Sequence, residues 1–271
     1  MDSQERKNEF IRRGIKKPSP AGTLTFVGLR SLDVLLQYQL LSGAGTAILD
    51  RVGLDYVSPG QFGALGLSTS TGLALVDRLN LPLPHLLLLG MAAGSTAKQI
   101  YWLVFVSKEE FPVSNAIPIS VFNSVVNTLC TGLLLASATS SATAPSFPGT
   151  SLPYPYIAGP TLYLLGLGTE LVSEIQRKKF KDDLKNKGKV MTRGLWQYAR
   201  HINYGGFAIW RAGYFVAASG LAAGLLSGSF FVWNFIQNAI PELDAYCSSR
   251  YGEQWQNFKK SVPHILFPGL L

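Results

Sequence analysis

Five stretches of the chain, at roughly 23–49, 60–80, 84–106, 116–138 and 155–175, are mostly apolar over the ~20 residues that a helix needs to cross a hydrocarbon core. That recurrence limits the fold more than any other feature. A bilayer core offers no water, so a spanning segment must satisfy its own backbone donors and acceptors, and a helix does so within itself. The expected architecture is all-α: a polytopic membrane helical bundle with a cytosolic C-terminal region. Composition agrees, since 47% of the 271 residues are hydrophobic, only 15% are charged, and mean hydropathy is +0.20.

Polar residues inside these stretches are informative because they are costly there. Arg30, Asp33 and Gln37 stand at i, i+3 and i+7 and therefore share one helix face. Charged groups in such a place are expected to pair or to face an interior cavity. The 60–80 stretch is rich in Gly, Ser and Thr, which fits either a tightly packed helix or a re-entrant segment. In the third stretch Pro84 and His85 open a leucine run that reaches Lys98; the lysine is expected to snorkel to a headgroup, the alternative being a cavity lining. Asn123 and Asn127, four apart, are expected to bridge helices. Four prolines make Ser137 to Pro155 a loop.

The net charge of +8 is not spread evenly. It gathers in the first seventeen residues and in Arg177 to Arg193, where eight Lys/Arg face two Asp. Such clusters suit anionic headgroups or a phosphorylated cofactor. Nucleic acid is disfavoured as a partner, because most of the remaining chain is expected in lipid. The positive-inside rule places both clusters in the cytosol, which requires an even number of crossings between them, whereas five are counted. Either 60–80 is not a true span or the N-terminus is lumenal. The first twenty residues lack the apolar core of a cleavable signal, so the first span is expected to direct insertion. Cys130 and Cys247 supply neither a disulfide framework nor a metal site and read as packing residues.

The fifth helix runs through Glu170 and Glu174, which share a face with Tyr163, and then into Arg177, Lys178 and Lys181. The two glutamates read either as ion-pair partners or as the acidic rim of a cofactor pocket. Next comes Gly194-Leu-Trp196-Gln-Tyr198-Ala-Arg200-His201-Ile-Asn203-Tyr204-Gly-Gly206. Phosphates want arginine forks and lysine point charges, which Arg177, Lys178, Lys181, Arg193 and Arg200 could supply. A base or nicotinamide ring wants aromatic walls and a polar edge, available in Trp196, Tyr198, Asn203, Tyr204 and Tyr251. The same mixture also occurs at any membrane interface. Beyond it, Gly205 to Ile236 is expected to form a two-helix hairpin turning between Ser219 and Gly228. Pro241 opens a polar helix over Glu242 to Arg250, and the aromatic, basic ending is expected to fold back on the membrane surface.

The run from Glu170-Leu-Val-Ser-Glu174-Ile-Gln176 through Phe180-Lys181, Asn186-Lys-Gly-Lys189, Gly194-Leu-Trp196 and Arg200-His-x-Asn-Tyr-x-Gly206 to Tyr251-Gly252 resembles the steroid 5-alpha-reductase superfamily. That superfamily also includes sterol C14-reductases and isoprenylcysteine carboxyl methyltransferases. The resemblance is strongest to its branch of uncharacterised multispanning proteins and covers about the last hundred residues. It implies substrate-side membrane helices in 1–154 and a cofactor-binding region in 155–271, integrated into one domain in the endoplasmic reticulum membrane. The cofactor it implies is NADPH, as in the reductases, or S-adenosylmethionine, as in the methyltransferases. Arg200, His201, Asn203, Tyr204 and Tyr251 would contact it, with Glu174 in place of a usual Asp. Glu170, Arg177, Lys181, Trp196 and Asp244 complete the implied site, and His201 and Tyr204 would serve as proton donors.

Three departures stand out: Ile202 for the common Pro, Phe207 for a Glu frequent in reductase-like members, and Asp244 for a Glu. The leading expectation is an NADPH-dependent reductase of a C=C in a lipidic enone, whether sterol, isoprenoid or fatty. The basic segment favours it, and the ending Val262-Pro-His-Ile-Leu-Phe-Pro-Gly269 resembles sterol reductase termini. The alternative is an S-adenosylmethionine-dependent methyltransferase of a lipid or prenylcysteine, favoured by Trp210 and by the absent Glu at 207. A non-catalytic membrane scaffold is the third reading.

Overall fold

The computed structural model describes residues 14–64 and 72–270. Most of the basic N-terminal cluster and the middle of the 60–80 stretch lie outside the described residues. Those described are overwhelmingly helical and contain no strand, only isolated bridges at Tyr56 with Ala136 and at Ser146 with Pro153. They form two compact units: one runs to Ile157 and takes in Ala217–Gly220, the other comprises Ala158–Val216 and Leu221–Leu271.

In the first unit α1 (Pro20–Gln39) opens on a proline, whose missing N–H costs nothing in a first turn. It passes through a π-type turn at Leu40–Ala44 into α2 (Gly45–Arg51), and Gly43, at φ +139°, makes the kink. Two short helices follow, α3 (Pro59–Ala64) and α4 (Ala74–Asp77). Between them Gly72 has φ +75° and Leu73 is extended, so 60–80 is not one continuous spanning helix. Then come α5 (Leu83–Tyr101), continued by a π-type turn at Trp102–Val106, and α6 (Val113–Leu135).

Helices α1, α5 and α6 pack with their polar groups inward. Arg30 Nη1 lies 2.6 Å from Asp33 Oδ2, both side chains fully buried. The guanidinium also donates to Gln99 Oε1 and Thr96 Oγ1 on α5, each at 2.9 Å. From α6, Asn127 donates to Asp33 at 2.8 Å and Thr131 to Gln37 at 2.7 Å, while Asn123 accepts from Gln99 at 3.0 Å. Arg30, Asp33 and Gln37 thus face the interior on one helix face, and both asparagines bridge helices. Lys98 is buried at 7% exposure instead of snorkelling outward, because its position on α5 turns it into the protein.

The outer surface is the reverse. Leu24, Leu35, Val125 and Leu129 are each more than half exposed. Among the described residues α6 alone is long and apolar enough by itself to cross a membrane. The 23–49 stretch carries the Arg30–Asp33 pair and the kink, 84–106 carries Lys98, and 155–175 belongs to a longer helix that becomes charged.

That longer helix, α7 (Pro155–Asp182), enters the second unit at Ala158. Arg177 to Lys181 are its last turns. α8 (Ile202–Ser219) ends at Gly220, φ +84°, and α9 (Leu221–Asn234) follows, the break the hairpin expectation required. A π-type turn at Phe235–Ala239 leads into α10 (Ile240–Tyr251) and then α11 (Glu253–Ser261). α7 and α8 approach backbone to backbone along a glycine seam. A Cβ on Gly206 would stand 2.8 Å from the Glu170 nitrogen and the Gly166 oxygen, and one on Gly213 would stand 2.5 Å from the Tyr163 nitrogen. This crossing sets the frame of the site.

Candidate functional site

The chain arrives at α8 through a short 3-10 turn, Gly194–Gln197. Gly194 has φ +62°, which strains any other residue, and a Cβ there would also displace the end of the Gln176 side chain. Gln176 Oε1 accepts from the Leu195 amide at 2.8 Å. The turn drives Trp196 against α7, where its indole N–H donates to the Ser173 carbonyl at 2.9 Å. Arg177 lies 5.2 Å over the indole ring. Ile202, in the place of the common proline, is buried against Trp196 and Ala199, so its side chain contributes to packing.

Asn203, in the first turn of α8, donates from Nδ2 to Glu174 Oε1 at 2.8 Å, and the other carboxylate oxygen of Glu174 meets Arg177 Nη2 at 2.5 Å. Glu174 is therefore both an ion-pair partner and part of a buried polar cluster. Asn203 Oδ1 is buried without a hydrogen-bond partner among the described residues, an acceptor left open beside a carboxylate. Further along the seam Glu170 Oε2 accepts from the Trp210 indole at 2.7 Å.

From His201 a file of rings runs through the unit. His201 stacks on Tyr204 at 5.8 Å and 9°, and Tyr204 stacks on Phe235 at 4.6 Å and 8°. Phe207 then meets Phe235 at 5.4 Å and Trp210 at 4.9 Å, both edge-on. The residue that replaces a carboxylate found in reductase-like members thus completes an aromatic wall. Arg211, fully buried, covers the Trp210 ring at 4.2 Å. It escaped sequence reasoning, although an arginine inside the Gly205 to Ile236 apolar run was the available signal.

Arg200 points elsewhere. Its Nη1 donates to the carbonyls of Val262 and Pro263 at 2.6 and 2.9 Å. The backbone amides of Arg200 and His201 donate to the carbonyls of His264 and Ile265 at 3.0 and 2.8 Å. Burial lowers the guanidinium's pKa from its ordinary value, opposed by the Asp244 carboxylate. Asp244 itself accepts from the Trp255 indole at 2.7 Å and lies 3.2 Å from Lys259 Nζ. Tyr251 packs against the cluster of Cys247, Trp255, Phe258 and Val262. Burial raises its phenol above the ordinary value, with Arg250 acting the other way.

The structure therefore brings Glu174, Arg177, Trp196 and Asn203 together at the α7–α8 crossing, with Glu170 farther along the seam and the His201–Tyr204 stack at the start of α8. Arg200, Asp244 and Tyr251 sit where the tail and α10–α11 close on that start. Lys181 is exposed near the end of α7. Sequence reasoning gave no role to Ser173, Trp255 and Phe235. No group of His, Cys, Asp and Glu among the described residues could hold a metal ion. The open acceptor on Asn203 suits a hydrogen-bond donor. Arg177 and Arg200, two cations a phosphorylated ligand would use, are already engaged.

Likeness to known proteins puts this helical chain in the steroid 5-alpha-reductase-like class. Residues 115–262 match the family described as "Protein of unknown function (DUF1295)", and the chain belongs to that family. Over 247 residues it is 37% identical to "Probable O-methyltransferase ustE" of Ustilaginoidea virens, covering 90% of this chain and 84% of that protein. It is 32% identical over 89 residues to the protein-S-isoprenylcysteine O-methyltransferase of Schizosaccharomyces pombe, covering 33% of this chain and 35% of that protein. With the 7-dehydrocholesterol reductase of Xenopus laevis it shares 32% identity over 92 residues, 33% of this chain but 19% of that protein.

Proposed function

We propose that the protein is a membrane-embedded methyltransferase that moves a methyl group from S-adenosylmethionine to an oxygen of a lipophilic acceptor. The observation that carries this reading is the extent of the likeness to a protein named an O-methyltransferase. It covers 90% of the chain, substrate-side half included, whereas the likeness to the sterol reductase covers about a third.

The site's chemistry supports it. Asn203 Oδ1 could accept from the ligand's ammonium or hydroxyl groups, with Glu174 beside it. When bound, the cofactor supplies an electrophilic methyl group; the chain's part is to orient the two reactants and exclude water. His201, buried and stacked on Tyr204, is the group available to take a proton from an acceptor hydroxyl; a carboxylate acceptor would need no base. Embedding is supported by the apolar exterior and polar interior of α1, α5 and α6. With 60–80 removed as a span, four crossings remain and both basic clusters fall on the cytosolic side of an endoplasmic reticulum membrane.

A second reading, an NADPH-dependent reductase of a lipidic enone, is favoured by one observation: Lys185, Lys187, Lys189 and Arg193 are exposed after α7 and available to phosphates. Thermal unfolding of the detergent-solubilised protein separates the two, because a ligand held only by the folded state stabilises it. Stabilisation by S-adenosylmethionine and not by NADPH is expected. Stabilisation by NADPH alone would replace the first reading with the second.

A further inference from the structure

Between α1 and α6 lies an open groove of about 300 Å³ lined by Leu29, Leu32, Leu36, Val121 and Val125, with Asp33, Ser120 and Ser124 as its polar members. That is the lower end of the size range of small-ligand sites. Its rim is apolar and outward-facing: Leu32 is 59% exposed and Val125 60%.

Two polar groups on the lining differ in what they can offer. Asp33 is saturated, since Arg30 neutralises it and Gln37 and Asn127 also donate to it. Ser120 is 1% exposed, and its hydroxyl has no hydrogen-bond partner among the described residues. A buried hydroxyl without a partner is costly, and a helix serine usually relieves that cost by bonding to the carbonyl one turn back. Here it does not. A ligand that enters from the apolar rim and ends in a group able to both donate and accept would complete it. An ammonium would find the carboxylate already compensated, and an anionic headgroup would find Arg30 already spent on Asp33 and no cation on the lining. A neutral hydroxyl meets neither obstacle.

We propose that this niche binds the hydroxyl end of a single-chain lipid alcohol, with Ser120 Oγ as its hydrogen-bonding partner and the α1 and α6 leucines and valines around the first carbons of its chain. The proposal takes from the functional reading only the embedding of α1 and α6 in lipid, and is independent of the reaction at the second unit.

The test is photolabelling of the full chain in lipid nanodiscs with a hexadecanol that carries a diazirine and an alkyne. Labelling is expected to saturate, to map to Leu29–Leu36 and Ser120–Val125, and to be competed by hexadecanol but not by hexadecane. In Ser120→Ala it should fall about five-fold with no loss of thermal stability, since that hydroxyl bonds to nothing in the unliganded protein. Val125→Trp, which blocks the rim, should abolish it. Equal competition by hexadecane, labelling unchanged in Ser120→Ala, or labelling spread evenly over Ile117 and Leu129 would overturn the proposal and mark ordinary surrounding lipid. Extraction of the protein from membranes by alkaline carbonate reads the embedding separately: release would fault the membrane reading, whereas retention with non-specific labelling faults the niche alone.

Discussion

Asn203 Nδ2 donates to Glu174 Oε1 at 2.8 Å, so the first turn of α8 is tied to a buried carboxylate on α7 whose other oxygen is held by Arg177. The amide fixes the carboxylate, and its own oxygen has no hydrogen-bond partner among the described residues. Asn203→Ala should lower stability by about 1–3 kcal/mol, the cost of leaving a buried charged acceptor short of a donor. Asn203→Asp should be worse, because it sets two carboxylates face to face. Thermal unfolding in detergent reads both; an Asp variant as stable as the parent would show that the contact carries little.

The glycine seam makes a sharper statement. At Gly206 a methyl group would meet backbone on α7, which cannot swing aside, so Gly206→Ala should cost about 1–3 kcal/mol by forcing the helices apart. Gly168→Ala, on the same α7 but with nothing within 4 Å, should be neutral or stabilising by up to about 1 kcal/mol. Melting temperatures of the two variants should therefore move in opposite directions or differ by several degrees.

Arg30 and Asp33 form a buried pair whose members depend on each other. Asp33→Leu alone should destabilise by about 3–5 kcal/mol, since the guanidinium loses its counter-charge, and Arg30→Met alone by a similar amount. The double variant should recover much of that loss. If the two losses simply added, the pair would not be coupled as its geometry requires.

Tyr251 offers a pH signature. Burial raises its phenol in the folded state above the ordinary value of 10.0, so its contribution to stability is intact below about pH 10 and is lost as pH rises through the folded value. Tyr251→Phe should therefore lose less stability than the parent between neutral pH and pH above 10. Unfolding measured across that interval, with the phenolate absorbance followed in parallel, checks the sign.

Much of the first unit could be read in advance, because helix periodicity is a strong signal when the solvent is apolar. The spacing of Arg30, Asp33 and Gln37 was enough to turn them inward, and that of Asn123 and Asn127 to make them bridges. The break at Gly220 followed from length, since the Gly205 to Ile236 run is too long for one untilted crossing. The 60–80 stretch stayed open between a packed helix and a re-entrant segment, because its composition suits both while the interruption depends on the backbone angles of Gly72 and Leu73. The site was half legible: residue types singled out Glu174, Asn203 and Tyr204, but the partners of Arg200 are backbone carbonyls some sixty positions away, which no side-chain pattern encodes. Lys98 was misjudged because a lysine stem can reach outward or turn inward, and only its neighbours decide.

The carbonyls of residues 262 to 265 are held by a guanidinium and two amides just before α8, so that short segment acts as a buckle for the stretch that carries His201 and Asn203. Anyone attaching a purification handle or a fluorescent partner there would be pulling on that buckle. Placing such additions beyond a slack spacer keeps the fastening shut, and a truncation that stops short of Val262 would loosen the helix start without altering a single residue within it.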